Sequence, residues 1–458
     1  MTNKRSSFRN RFSFYLLAIG SACGLGNLWR FPYIVGENGG GAFLLLYVFL
    51  ALTVGLSLLI AELMLGRYTD LSLLAASRKV AQSSGKKSYA LIGWFSLLIT
   101  AIILSYYSVI SGWVLHYLTQ FVTSLYHEDS VKYLSKTSVS VLLQSGSLQF
   151  MLASVHLIIT TTIVLKGFSE GFEKKIASLL PFFGILVIVL LFGSLSRDSN
   201  KDVLRFLFYP DFSKLNWSSL SHALGHVFFT LSLGFGSMVT FGGYLKNDED
   251  HLPTIGLRVT IVDTLISIVA VLLVFPIAFS SSKQLATDPS LLFDVMPIFL
   301  SSIKGGILFG LIFFLFLWLA ALNASIGLLE TVTANITEMH PHLRRPMAAS
   351  LAGLFVMFLT VFPAFSSSIF KNVNILGRSL IEFLDSALIN VCLPIAAVGI
   401  VFIFFKTLKP AQREKLFVTD KMPTSIVMYS HWVVTIKWVV PILVGAALLM
   451  SLIGVAVR

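Results

Sequence analysis

The chain has 458 residues, 56% of them hydrophobic and only 12% charged, with a formal net charge of +12 and a mean hydropathy of +0.84. A soluble protein of this size needs far more polar surface, so the composition excludes a soluble enzyme or nucleic-acid binder and places the chain in a membrane. Two cysteines, Cys23 and Cys392, both in apolar runs, supply neither a disulfide framework nor a metal-binding spacing.

A helix that crosses a bilayer takes roughly 20 apolar residues. Eleven candidate spans follow in chain order, near 12–36, 41–66, 90–122, 149–167, 174–195, 219–245, 256–280, 306–336, 347–365, 376–405 and 433–456. Runs this long are not the short alternating strands of a barrel. Residues 1–11 are basic but lead into no cleavable leader, because "GLGNLWRFP" is not a small-residue cleavage site. Lys4, Arg5, Arg9 and Arg11 precede span 1; Arg67, Arg78, Lys79, Lys86 and Lys87 lie between spans 2 and 3. Arg344 and Arg345 lie between spans 8 and 9, and Lys406, Lys409, Arg413, Lys415 and Lys421 between spans 10 and 11. These alternate connections share one side, which the positive-inside rule makes cytoplasmic. The amino terminus then lies inside and Arg458 outside. The connection at 196–218 mixes both signs and suits the outer face, and nothing reads as a separate soluble domain.

Span 1 carries "GSACGLGNLW" (20–29) and span 6 carries "TLSLGFGSMV" (230–239). Each places a Gly-x-Gly triplet, with small or hydroxyl residues around it, in the middle of a hydrophobic run. A Gly20–Gly24 pair alone fits plain helix packing. Two Gly-interrupted spans at matching places in two halves point instead to an inverted-repeat transporter. Unwound backbone at membrane depth is tolerable only where it faces a protein-lined cavity or a ligand. The freed half-helix ends carry partial charges suited to a small zwitterion and a cation.

"GSACGLGNLWRFPYIVGENGGGAF" followed by "AELMLGRY" closely resembles the start of the neurotransmitter:sodium symporters, and "LSYYSVISGW", "HVFFTLSLGFGSMVTFGGY" and "ALNASIGLLE" resemble their spans 3, 6 and 8. The resemblance runs from about residue 5 to residue 405. It implies an all-α integral membrane protein of the LeuT fold: a 5+5 inverted repeat with discontinuous helices 1 and 6, plus helix 11. The whole of 1–458 is then one transporter domain, with repeats at about 10–195 and 219–405 and an extra helix at about 433–456. "GENGGGAF" lacks a following GK[ST] and reads as the outer turn between spans 1 and 2.

The resemblance also implies a substrate site. A carboxylate would meet backbone N–H groups at Leu25 and Gly26 together with the Tyr107 hydroxyl, and an amino group the carbonyls of Ala22, Phe229 and Thr230 with Ser232. Gly24 stands where monoamine members carry an aspartate, so the ligand should bring its own carboxylate, as an amino acid does. The side-chain subsite would be Leu25, Ile103, Phe229, Phe235, Ala324 and Leu328. All are apolar, and a charged side chain there would lie unpaired at a cost of several kcal/mol. A hydrophobic L-amino acid is the expected cargo, with aliphatic and aromatic members sharing the pocket.

Sodium is the implied ion. Asn27, Thr230 and the Ala22 carbonyl resemble the first sodium site, and Asp263 stands where the leucine transporter has an asparagine. Hard cations favour such oxygen ligands. Ser267 alone would suggest chloride, but Asp263 already supplies a negative charge beside it, and His226 replaces a usual glutamine; chloride independence is expected. Proton exchange through Asp263 and His226 is the weaker alternative. The second sodium site would use carbonyls of Gly20, Cys23 and Ala320 with the Asn323 side chain, while Ala324 removes a usual serine ligand.

The remaining implied roles are gates. Arg30 and Asp385 form the outer pair, with Phe235 as a lid beneath; Arg5, Glu338 and Tyr244 form the inner one, with Phe8 replacing a tryptophan. Gly171 and Pro181 have the Gly-x9-Pro spacing of an unwinding element in span 5, and Glu62 would cap backbone freed by the break in span 1. A membrane enzyme lacks support, since HExxH, GxSxG and paired Cys ligands are missing. An amino-acid-binding membrane sensor with little transport is the competing reading. Partners are then the amino acid, sodium and the bilayer of a plasma (inner) membrane, with no nucleic acid; monomer and homodimer both stay open.

Overall fold

The structure, a computed structural model, describes residues 24–127, 133–134, 139–166, 172–196, 200–245, 251–280, 291–418 and 425–456. The described chain is almost wholly helical. Eight helices are long and apolar enough to cross a bilayer: α2 (Gly41–Thr69), α4 (Ser88–Ser124), α5 (Gly146–Leu165), α10 (Leu252–Ser280), α12 (Gly306–Met339), α13 (Arg345–Ala364), α14 (Leu380–Thr407) and α16 (residues 425–456, of which Ser425–Ser451 form the apolar stretch). They match expected spans 2, 3, 4, 7, 8, 9, 10 and 11. Span 1 is represented by α1 (residues 26–37), span 5 by α6 (Phe172–Leu195), and span 6 by two pieces, α8 (Ser219–Thr230) and α9 (Ser237–Tyr244).

Five helices lie in connections that the sequence reading left without structure: α3 (Leu73–Ser84), a short helix at Val139–Gln144, α7 (Asn200–Phe208), α11 (Leu291–Ser302) and α15 (Pro410–Phe417). Their runs are too short or too polar to register as spans. Two span ends also move. α14 begins at Leu380 rather than near 376, because Leu376 and Gly377 adopt positive φ (52° and 75°) in a tight turn closed by Ile375 and Arg378. α16 begins about two turns early, where Trp432 donates its indole N–H to the Ser57 carbonyl (3.1 Å) and packs on Phe417.

α4 and α12 form the central pair, and α2 lies against α9. That second contact is backbone on backbone. A Cβ at Gly66 would lie 1.9 Å from the Val239 carbonyl oxygen, and one at Gly242 would lie 2.4 Å from the Leu63 carbonyl oxygen. No other residue fits at either place. α1, α2, α14 and α16 each contain a π-helical turn, at Gly26–Arg30, Ala51–Gly55, Leu388–Cys392 and Thr435–Val439. Such insertions gather at functional sites, and the first and third of these meet at the outer ion pair described below.

Candidate substrate and sodium site

The sixth span breaks over residues 231–236, with Ser232, Gly234 and Gly236 all at positive φ (55°, 82° and 76°). Glycine takes this conformation without steric cost, which is why the G-x-G triplet sits there. Freed backbone groups in a bilayer cost several kcal/mol each unless bonded, and they are bonded. Glu62 of α2 accepts from the Gly234 N–H (2.8 Å), Ser96 of α4 donates to the Gly234 carbonyl (2.6 Å), and Thr100 donates to the Phe235 carbonyl (3.1 Å). Glu62 was expected to cap the break in span 1, most of which lies outside the described residues; through the packing of α2 on α9 it caps span 6. Ser96 and Thr100 were missed, although two hydroxyls four residues apart on a buried helix face were the available signal.

A small cavity of about 20 Å³ lies at this break, lined by Gly24, Gly26, Tyr107, Phe229, Thr230, Ser232, Phe235, Ala324 and Leu328. All nine are among the expected substrate residues. Leu25, buried alongside, donates its backbone N–H to the Tyr107 hydroxyl oxygen (3.1 Å), so those two polar groups converge on one point. Ile103 lies one turn from Tyr107 on α4, fully buried behind the cavity wall. Ala22 lies outside the described residues. The rings of Tyr107, Phe229 and Phe235 form a tilted series at centroid spacings of 6.4 Å. The lining holds no charged side chain.

Beside the cavity, α1, α8 and α10 meet at Asp263. Asn27 Nδ2 donates to Asp263 Oδ1 (2.8 Å), while the Thr230 and Tyr47 hydroxyls donate to Oδ2 (3.1 and 3.2 Å). Asn27 Oδ1 is buried with no hydrogen-bond partner among the described residues. A buried amide oxygen without a partner, a carboxylate and a hydroxyl in one cluster are the oxygen donors a hard cation takes, so Asn27, Thr230 and Asp263 fit a sodium ion. Tyr47 was missed; it also lies 3.1 Å from the Ser267 hydroxyl. His226 stacks on Phe31 (4.6 Å, 15°), and neither ring nitrogen has a hydrogen-bond partner among the described residues. For the second sodium site only Ala320 and Asn323 can be placed, both buried on α12; Gly20 and Cys23 lie outside the described residues.

Above the cavity, Arg30 Nε donates to both oxygens of Asp385 (3.2 and 3.1 Å), and the guanidinium is 1% exposed. Tyr33 and Tyr106 donate to the same carboxylate (3.3 and 3.4 Å), and Arg30 reaches Asn390 Oδ1 at 3.3 Å. Asn390 sits on the π turn of α14, and its carbonyl accepts from Ser221 of α8 (3.2 Å). This pair floors an open cavity of about 340 Å³ lined also by Trp29, Glu37, His222 and Arg378.

On the opposite side, Glu338 accepts from both the backbone and the hydroxyl of Ser72 (2.8 and 2.7 Å). Tyr244 donates not to Glu338 but to Glu330 (2.7 Å), whose second oxygen holds Arg345 (2.5 Å). Sequence reasoning counted Arg345 only as a topology charge. Arg5 and Phe8, like Gly171, lie outside the described residues; Pro181 lies on α6, and its side chain is not described.

The family model for the sodium:neurotransmitter symporter family matches residues 5–132 and 123–457. A sodium-dependent transporter of Bacillus subtilis is 29% identical over 457 residues, 99% of this chain and 98% of its own. The sodium-dependent neutral amino acid transporter B(0)AT2 of Rattus norvegicus is 28% identical over 306 residues, 60% of this chain and 41% of its own. The crystal structure of MhsT in complex with L-phenylalanine aligns with a TM-score of 0.88 at 30% identity, covering 97% of this chain and 99% of that one. The broken sixth span, the cavity at its gap and these likenesses lead to one conclusion: the chain belongs to the sodium:neurotransmitter symporter family, as a multi-pass, sodium-dependent symporter of the LeuT fold with discontinuous helices 1 and 6.

Proposed function

We propose that the protein imports hydrophobic L-amino acids, aliphatic and aromatic, together with sodium and without chloride. The observation that carries this reading is the cavity at the gap of span 6. It sets backbone and hydroxyl groups for a zwitterion at Leu25 and Tyr107 against the apolar walls of Phe229, Phe235, Ala324 and Leu328. No wall residue can pair a charged side chain, and MhsT, the structural relative, was crystallised with L-phenylalanine.

In this reading sodium binds Asn27, Thr230 and Asp263 and shares α1 and α8 with the amino acid, so each ligand favours the closed form the other needs. A second ion would use the carbonyls of Gly20, Cys23 and Ala320 with the Asn323 side chain. Each positive charge carried inward across 100 mV contributes about 2.3 kcal/mol. Chloride is superfluous because the Asp263 carboxylate, bridged to Ser267 by the Tyr47 hydroxyl, already supplies the negative charge there and would repel a chloride. Arg30 with Asp385 act as the outer gate and Glu338, Arg5, Tyr244, Glu330 and Arg345 as the inner one. The amino terminus lies on the cytoplasmic side of a plasma membrane.

Uptake of labelled leucine, phenylalanine and lysine into proteoliposomes tests this. Leucine and phenylalanine should accumulate only under an inward sodium gradient, lysine should not, and gluconate in place of chloride should change nothing. Saturable binding without accumulation would favour a sensor. In Asp263→Asn the sodium half-saturation should rise about tenfold, the equivalent of ~1.4 kcal/mol; an unchanged value would remove Asp263 from the ion site.

A further inference from the structure

The largest cavity described so far opens to the outer face, but a larger apolar one opens sideways. Between α4, α14 and α16 lies a groove of about 590 Å³ whose walls include Leu91, Phe95, Ile395, Phe402, Val444 and Leu448. Its whole lining is apolar, and its volume falls within the ~300–1,000 Å³ of small-molecule sites. Two glycines shape it. Gly399 accepts the Ile92 side chain, while a Cβ on Gly445 would meet nothing within 4 Å and so points into open space.

One end of the groove is strongly basic. Phe402 and Lys406 are one turn apart on the same exposed face of α14. α3 packs on both α4 and α14 at that end and carries Arg78 and Lys79, both exposed. Arg78 lies 5.6 Å above the ring of Trp94, which flanks Leu91 and Phe95 on α4. The segments 73–90 and 403–409 that form this rim contain no acidic residue. An uncharged hydrocarbon slot that ends in cations without an acidic partner among the described residues is complementary to a molecule with an acyl chain and an anionic head.

We propose that this groove is a binding site for one anionic phospholipid of the inner leaflet, its acyl chain against Gly445 and Phe402 and its phosphate against Lys406 and Arg78. The leaflet rests on the orientation proposed above; the site itself does not. Hydrocarbon in the groove gains little over hydrocarbon in the bilayer. Preference must therefore come from the basic rim, through the attraction that draws juxtamembrane lysines and arginines to anionic headgroups.

Native mass spectrometry of the purified full chain with dioleoyl phosphatidylglycerol or dioleoyl phosphatidylcholine tests the site. The unaltered protein should retain at least about threefold more phosphatidylglycerol, within the ~1 kcal/mol expected per surface cation. Gly445→Phe, which fills the slot, should lose one bound lipid of either kind. Lys406→Gln with Arg78→Gln should lose the preference and keep the phosphatidylcholine. Glycerol 3-phosphate, a headgroup without a chain, should not displace the lipid. Sodium-driven uptake by Gly445→Phe, a residue far from the ion site, reports that the variant is folded. A folded Gly445→Phe protein that retains as much phosphatidylglycerol as before overturns the proposal. So does a dimer that Gly445→Phe converts to monomer, which would assign the groove to a second copy.

Discussion

In the gating proposed above, the two ends of the transport path are closed by different designs. At the outer end one carboxylate, Asp385, gathers Arg30, Tyr33 and Tyr106, with Asn390 holding the guanidinium from the side. At the inner end two carboxylates divide the work: Glu330 takes Tyr244 and Arg345, while Glu338 takes the start of α3 at Ser72. Burial differs as well, since Arg30 is 1% exposed and Arg345 26%. A network focused on one buried carboxylate fails all at once when that group is lost. A divided one, whose arginine reaches water while Glu330 stays buried, yields by parts.

Substitutions can break this contrast, beginning with the largest effect. Asp385→Ala strands a desolvated guanidinium, a loss worth about 3–5 kcal/mol for a buried pair, so uptake should fall below one hundredth. Equal damage from Glu330→Ala would erase the asymmetry. Glu330→Gln keeps shape and one acceptor, and should cost about tenfold in rate, or ~1.4 kcal/mol. It should also raise cytoplasmic-side labelling of a cysteine placed at Ala334, the mark of a loosened inner end. Asn390→Ala removes a neutral partner held at 3.3 Å, worth about 1 kcal/mol. It should slow uptake severalfold while leaving sodium half-saturation unchanged. Tyr33→Phe and Tyr106→Phe each delete one long hydrogen bond, at the lower end of about 0.5–1.5 kcal/mol, and should each cost less than Asn390→Ala. Initial rates of labelled leucine uptake, with protein amount fixed, rank all of these.

Legibility in the sequence followed the same divide between local and distant causes. The spans could be read because lipid demands long apolar runs, and the break in span 6 because Gly234 and Gly236 announce positive φ locally. The cavity residues were legible only through motif resemblance, which carries relative placement from known relatives. What escaped was set by which helices touch. That Glu62 serves Gly234 depends on α2 meeting α9; that Tyr244 serves Glu330 depends on α9 meeting α12. Asn390 was invisible because a π turn rotates it toward Arg30, and nothing in "LINVC" announces an extra residue in the turn. Short helices such as α3 and α15 escaped because their polar faces dilute the hydropathy signal.

The glycine seam between α2 and α9 has a mechanical consequence. With Gly66 and Gly242 leaving each backbone against the other's carbonyls, neither helix can slip lengthwise without driving a Cα into an oxygen. The lower half of the sixth span is therefore yoked to the second span. In the proposed transport cycle the pair would tilt as one rigid lever when the inner end opens, with the hinge at Gly234 and Phe235, whose backbone bonds go to side chains of α2 and α4.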